Sequence, residues 1–265
     1  MKRAIYLNGA TLMTTPTQNL LEIARNAGYA GIEARAERLL KDTAEVGATA
    51  EIARPNEVLS LNGVPLTLRP DGQMNREVLD ADLHPRLHLC KNIGTGYLLA
   101  IPPRAPGLAT LLAIPGTRDA LELARDRAAA MGIRIAFEFL GFADCPINTP
   151  ELAAETVDGI DGIELALDAC HWHASGSHSL RGFPVRRLTL VHLNDAPAKP
   201  PQEVEDADRL LPGDGVIRLS DLVSELESGG YSGSWSLETF NPSYWMEDPR
   251  AVADRGLATV ARLLQ

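Results

Sequence analysis

The chain has 265 residues, 25 Lys and Arg against 35 Asp and Glu, a formal net charge of −10 at pH 7, and 45% hydrophobic residues. That balance argues against a nucleic-acid binder, whose affinity rests on clustered Lys and Arg that neutralise phosphates. The ordinary apolar and charged fractions exclude disorder, collagen and coiled coil.

In chain order, Met1-Lys2-Arg3 could begin a signal peptide, but the apolar run Ala4–Leu7 stops at Asn8-Gly9, too short for an h-region. Short apolar runs then alternate with helical patterns to the end. A strand at Ala4–Leu7 is followed by a helix over Gln18–Ala27, and a strand at Gly31–Ala34 by a helix over Glu37–Val46. Val58–Leu61 leads to a helix over Arg76–Asn92, and Tyr97–Ile101 to one over Asp119–Met131, where Leu121, Ala124, Ala128 and Met131 keep 3-4-3 spacing and Gly132 offers a cap. Ile133–Phe137 precedes a helix over Pro150–Val157, and Ile163–Leu167 precedes a helical segment over Ser175–Arg186. Leu188–Val191, a helix over Leu219–Ser228, the strand Ser234–Leu237 and a helix over Pro249–Leu264 complete the series.

Eight strands alternating with helices imply a parallel α/β sheet closed as a single (β/α)8 TIM barrel over residues 1–265. A doubly wound open sheet would want a Gly-rich phosphate turn after the first strand, and Asn8-Gly9-Ala10-Thr11 is not one. The stretch from Tyr97 to Ile114 is cut by Pro102, Pro103, Arg104 and Pro106, so no membrane-spanning run is expected. Cys90, Cys145 and Cys170 are widely spaced without a CxxC pair, which suits free thiols and a cytoplasmic protein. One phrase recurs: Gly28-Tyr29-Ala30-Gly31-Ile32-Glu33 and Gly230-Tyr231-Ser232-Gly233 leading to Glu238 both read as helix exit, turn and strand ending in an acid.

The chemistry stands where the late strands end. Ile135-Ala136-Phe137 runs into Glu138, Leu165-Ala166-Leu167 into Asp168, Leu190-Val191 into His192 and Ser236-Leu237 into Glu238. In a closed barrel these positions converge on the mouth where active sites of the fold lie. Three carboxylates and an imidazole form a hard ligand set for one divalent ion, Mn²⁺, Mg²⁺, Co²⁺ or Zn²⁺; without a cation they would repel one another. His171 could donate to a substrate oxygen or replace a metal ligand, or simply cap a helix. Arg209, in the long loop from Asp206 to Gly215, could hold a hydroxyl or anionic group, or pair with Asp206 or Asp208. Asp195 stands where it could orient a ligand or start a turn, Tyr244 and Trp245 could form an aromatic lid, and His84 with His88 reads as a surface pair. His173 and His178 read as surface or supporting groups.

With these residues the sequence resembles the xylose-isomerase-like TIM-barrel superfamily of sugar isomerases and epimerases, and within it the inosose (2-keto-myo-inositol) isomerase branch. The resemblance covers nearly the whole chain and includes Gly28–Arg35, Ile135–Gly141, Leu167–His173 and the Asp-x-Asp-Arg-x-x-Pro-Gly-x-Gly loop from Asp206 to Gly215. It implies that Glu138, Asp168, His192 and Glu238 hold a divalent metal, that Glu138 and Glu238 are the acid/base pair, and that His171 and Arg209 touch a keto-sugar or keto-inositol substrate. The proline-rich stretch Ala196–Glu205 departs from that pattern. The expected reaction is removal of a proton α to a carbonyl and its return to the neighbouring carbon through an enediolate. A sugar epimerase, or a keto-cyclitol dehydratase of the 3-dehydroshikimate type, would begin with the same step. An abasic-site endonuclease would need more histidines and less negative charge, and a silent binding barrel would have no need of all four late-strand residues.

Overall fold

The computed structural model describes residues 3–265, so the opening Met1-Lys2 lies outside the described residues. Eight parallel strands close into a barrel in chain order: β1 (Ile5–Asn8), β2 (Gly31–Arg35), β3 (Val58–Pro65), β4 (Tyr97–Ile101), β5 (Arg134–Glu138), β6 (Ile163–Asp168), β7 (Leu188–Leu193) and β8 (Ser234–Leu237), which pairs back onto β1. Around them run α1 (Thr17–Ala27), α2 (Ala36–Leu39), α3 (Thr43–Ile52), α4 (Arg76–Ile93), α5 (Thr110–Ala129), α6 (Pro150–Val157), α7 (Ala169–Ala174), α8 (Leu219–Ser228), α9 (Pro242–Trp245) and α10 (Pro249–Leu263). The TIM barrel expected from the alternation is therefore the fold.

Three helical expectations are corrected. Glu37–Val46 is two helices, because Asp42 turns out of the helical path and caps α3 by accepting from the N–H of Ala44 (3.0 Å) and Glu45 (3.1 Å). The helix placed at Asp119–Met131 begins earlier, at Thr110, and carries Pro115 and Gly116 inside it. Gly116 lies so close to the loop before α4 that a Cβ there would stand 2.0 Å from the Gly72 carbonyl, so packing keeps a helix that local propensity would end. No α-helix forms over Ser175–Arg186, where only a 3-10 turn begins at Val185. Gly176 and Gly182 adopt positive φ and Pro184 interrupts the segment, while α7 follows β6 directly.

Period-two alternation decides what faces the site. Phe137, Leu165, Leu167, Val191, Leu193, Trp235 and Leu237 point outward into the core between barrel and helices. Leu99, Ala136, Ala166 and Leu190 point inward and plug the lower barrel. Two residues beyond these inward positions come Glu138, Asp168 and His192, and Glu238 follows Ser236 in the same way. The upper interior is polar and buried: Asn8, Glu33, Ser60, Asn62 and Ser236 lie there among the strands.

The recurring phrase marks two equivalent strand entries. Gly28 (φ 99°) and Gly230 (φ 87°) both adopt the left-handed conformation, and Tyr29 and Tyr231 follow as buried residues. Gly31 then enters β2 tight against the neighbouring chain, where an added Cβ would fall 2.0 Å from the Glu57 carbonyl that accepts the Ile32 N–H at 2.7 Å. Gly31→Ala is expected to destabilise the protein by about 1–3 kcal/mol through overpacking. Urea denaturation checks this as a lower midpoint with an unchanged m value. No helix of the described residues is long and apolar enough to cross a membrane, and Cys90, Cys145 and Cys170 are buried free thiols.

Candidate active site at the carboxyl ends of the strands

The closed barrel brings the four late-strand residues together. One ligand atom each of Glu138, Asp168 and His192 lies within 4.8 Å of the others. Glu238 stands beside them, its Oε2 3.5 Å from His192 Nδ1, but its carboxylate accepts from Arg209 Nη1 (2.8 Å) and Arg35 Nη1 (3.3 Å). Asp168 divides its oxygens: Oδ1 accepts the His171 N–H at 2.8 Å and caps α7, while Oδ2 accepts from Asn194 Nδ2 (2.6 Å) and Arg209 Nη1 (2.9 Å).

His171 and Arg209 reach the same mouth, and Arg209 does so while also making the loop pair with Asp206 at 2.8 Å. Arg209 is 2% exposed although it sits in a surface loop, held by Asp168, Glu238 and Asp206. Its Nη2 donates to His171 Nε2 at 3.2 Å. A guanidinium only donates, so Nε2 is the acceptor and the His171 proton is on Nδ1. Burial lowers the His171 pKa, against the pull of Asp168, so this ring is neutral at pH 7.

His192 is in the opposite condition. Nδ1 faces Glu138 Oε1 at 2.8 Å and Nε2 faces Glu33 Oε1 at 3.0 Å. Burial disfavours its charge, yet Glu238, Glu33 and Glu138 raise its pKa well above 6.5. Glu33 answers the same field: burial pushes it up, but His192 and the Ser236 and Ser60 hydroxyls carry it down to about 2. Burial, with Glu138 and Asp168 nearby, lifts Glu238 to about 7 against His192 and Arg209.

Glu33 was not among the residues read as functional from the sequence, although it ends the first copy of the recurring phrase as Glu238 ends the second. It is fully buried, accepts from Ser60 Oγ, Ser236 Oγ and Asn8 Nδ2, and holds the face of His192 turned away from the carboxylate cluster. The other candidates serve the scaffold. The Asp195 carboxylate accepts from the N–H groups of Ala196, Gly213 and Ile217 and shapes the Arg209 loop. The Tyr244 hydroxyl accepts from Leu211 N–H and Trp245 Nε1 donates to the Ala10 carbonyl, so they pin loops and do not cover the mouth. His178 faces Glu151 at an exposed position, His173 is half-buried beside Ser177, and His84 and His88 pack edge to face on the surface of α4.

A cavity of about 300 Å³ opens onto the cluster, at the small end of ligand pockets. Glu138, Glu238, His171 and Arg209 line its polar side, and Leu99, Ile101, Leu140, Phe142 and Phe240 its apolar side. Arg104 lies over the Phe142 ring at 4.3 Å and Arg35 over Phe240 at 4.9 Å. Each cavity arginine is already paired with carboxylates: Arg35 with Glu37 and Glu238, Arg104 with Asp144 and Glu205, and Arg209 as described.

The residues present fit a divalent cation. Carboxylate oxygens and one imidazole nitrogen converge, the nearby thiol of Cys170 is buried and pushed far up in pKa by burial, and the acid cluster repels itself strongly enough to hold a proton near neutrality.

The chain matches the model of the family described as the xylose isomerase-like TIM barrel over residues 21–263. It is 30% identical over 252 residues to the inosose isomerase of Bacillus subtilis (strain 168), across 91% of this chain and 90% of that protein. It is 28% identical over 255 residues to the inosose isomerase of Bacillus velezensis (strain FZB42), across 91% and 89%. Among solved structures, that of the IOLI protein with a binding zinc atom superposes with a TM-score of 0.88 at 26% identity, over 98% of both chains. The chain belongs to the xylose isomerase-like TIM-barrel family.

Proposed function

We propose that this protein is a metal-dependent isomerase of a neutral keto-polyol, with 2-keto-myo-inositol as the substrate to test first. The observation that carries the reading is the pair Glu138 and Glu238, two carboxylates lining one small cavity beside an O/N ligand cluster. The two Bacillus relatives support the substrate class.

Glu138, Asp168, His192 and Glu238 would hold one divalent ion (Mn, Mg, Co or Zn), which supplies Lewis-acid polarisation of a substrate carbonyl. The chain's own groups do the rest. Glu138 and Glu238 serve as acid and base: one removes the proton from the carbon α to the carbonyl, the other delivers a proton to the former carbonyl carbon, and the α-hydroxyl proton passes to the former carbonyl oxygen, so that the ketone moves one carbon along with no net gain or loss. In the metal-free cluster Glu238 is held up near 7 by burial and its acid neighbours, and a bound cation would draw it back toward the carboxylate form that can act as a base. Neutral His171, with its proton on Nδ1, and the Arg209 guanidinium hold substrate oxygens. Phe142, Phe240 and Leu99 present apolar surface to the C–H face of a ring and exclude water.

The pairing of every cavity arginine favours an uncharged polyol over a keto-cyclitol that bears a carboxylate, because no arginine is left without an acid partner. Incubation with 2-keto-myo-inositol and NMR identification of the product tests this. A new keto-inositol supports the isomerase; an unsaturated product formed with loss of water would move the chain to a dehydratase.

Cation binding should also be steeply pH-dependent. His192 loses a proton on binding a cation at Nδ1, and Glu238 loses one below about 7. Affinity therefore rises with pH, and more steeply below about 7 than above it. Calorimetric titration with Mn²⁺ in buffers of different ionisation heat should show more protons released at pH 6 than at pH 8. Affinity that does not change across this range would contradict the charge states assigned to the cluster.

A further inference from the structure

The mouth has a second polar wall. In the ring of eight strands β3 lies opposite β7, so Asn62 faces across the barrel from His192. Asn62 is 2% exposed, forms part of the cavity wall, and its Nδ2 has no hydrogen-bond partner among the described residues. An unpaired buried amide donor costs roughly 1–3 kcal/mol, a cost that a ligand oxygen would remove.

Which end of the amide is free follows from its neighbours. The Ala10 N–H only donates, and it donates to Asn8 Oδ1 at 2.9 Å, so the other end of the Asn8 amide must be Nδ2. Asn8 Nδ2 donates to Glu33 Oε1 (3.1 Å) and to Asn62 Oδ1 (3.1 Å). Asn62 therefore turns its oxygen to Asn8 and leaves its NH₂ end to the cavity. Its orientation descends from a backbone amide and from the carboxylate that also holds His192.

We propose that Asn62 Nδ2 is a specificity-determining donor that binds a hydroxyl oxygen on the far side of the polyol ring from the reacting carbons. The geometry behind it is the order of the strands around the closed barrel: a ring whose ketone edge lies at the cluster of β5–β8 presents its opposite edge to β3 and β4. The donor reads hydroxyl substitution where no bond changes, so it contributes to recognition and to holding the α-carbon against Glu138 and Glu238. The inference rests on the keto-polyol reading above.

The test compares wild type and Asn62→Ala on 2-keto-myo-inositol and on monodeoxy analogues that lack one far-side hydroxyl, with Mn²⁺ affinity and melting temperature measured for both proteins. Asn62→Ala should lower kcat/KM at least about tenfold on the full substrate, the fold-change of one lost buried hydrogen bond. Mn²⁺ affinity and melting temperature should change little. With one far-side deoxy analogue the two proteins should become equal, since the partner is then missing from the substrate. A penalty that persists across all analogues, or no penalty on the full substrate, would overturn the role of Asn62 while leaving the isomerase intact. A wild-type protein inactive on every keto-polyol would overturn both readings.

Discussion

Glu138→Gln and Glu238→Gln are each expected to lower kcat at least ~100-fold at saturating Mn²⁺, the lower range for a lost general acid or base. Glutamine keeps the shape and one oxygen but cannot exchange a proton. The two variants should differ in a second property. Glu238 is held up near 7 by burial and by Glu138 and Asp168, so its replacement removes one member of a repelling acid cluster. Glu238→Gln should therefore be stable when metal-free, and its inactivity should not reflect unfolding. Glu138 accepts from His192 Nδ1 at 2.8 Å, so its replacement costs an ion-pair partner as well as turnover. Near-normal kcat in either variant, with metal bound, would refute the two-carboxylate scheme.

The second large effect concerns Glu33, which lines no part of the cavity. Its Oε1 meets His192 Nε2 at 3.0 Å and fixes that nitrogen as the donor, leaving Nδ1 to face the carboxylates. Glu33→Gln is expected to weaken Mn²⁺ binding about 10–100-fold while much of kcat survives at saturating metal. Titration of the metal against both proteins reads the first quantity and steady-state kinetics the second. Stability gives an independent readout. The Glu33 pKa is depressed from 4.5 to about 2, so its contribution is present above about 4.5 and is lost as pH falls through about 2. The metal-free Gln variant should lack that acid limb. Unchanged metal affinity would reduce Glu33 to an ordinary buried charge.

The barrel and its mouth were legible in the sequence because two regular signals coincide. Alternation along β5 to β8 puts every other residue inside, and Glu138, Asp168, His192 and Glu238 each follow an apolar strand by one step. What escaped has physical causes. Glu33 belongs to an early strand and stands in the sequence only as the end of a repeated phrase; the role expected of it depends on contacts with β3, β7 and β8 that no local pattern encodes. The free end of Asn62 depends on a chain of hydrogen bonds that begins at Ala10. The aromatic walls are Phe142 and Phe240, while Tyr244 and Trp245, the more conspicuous pair, are spent on pinning loops. The Asp206–Gly215 loop motif points to Arg209, but its burial between Asp168 and Glu238 is a tertiary fact.

The measurement that reaches the centre of this account is proton NMR of 2-keto-myo-inositol incubated in D₂O with Mn²⁺-loaded protein, beside a metal-stripped sample. The account predicts deuterium at the carbon next to the ketone together with a second keto-inositol, both lost on stripping and both restored when metal is returned. Exchange that survives complete removal of metal, or a substrate that gains no deuterium with metal present, would contradict it.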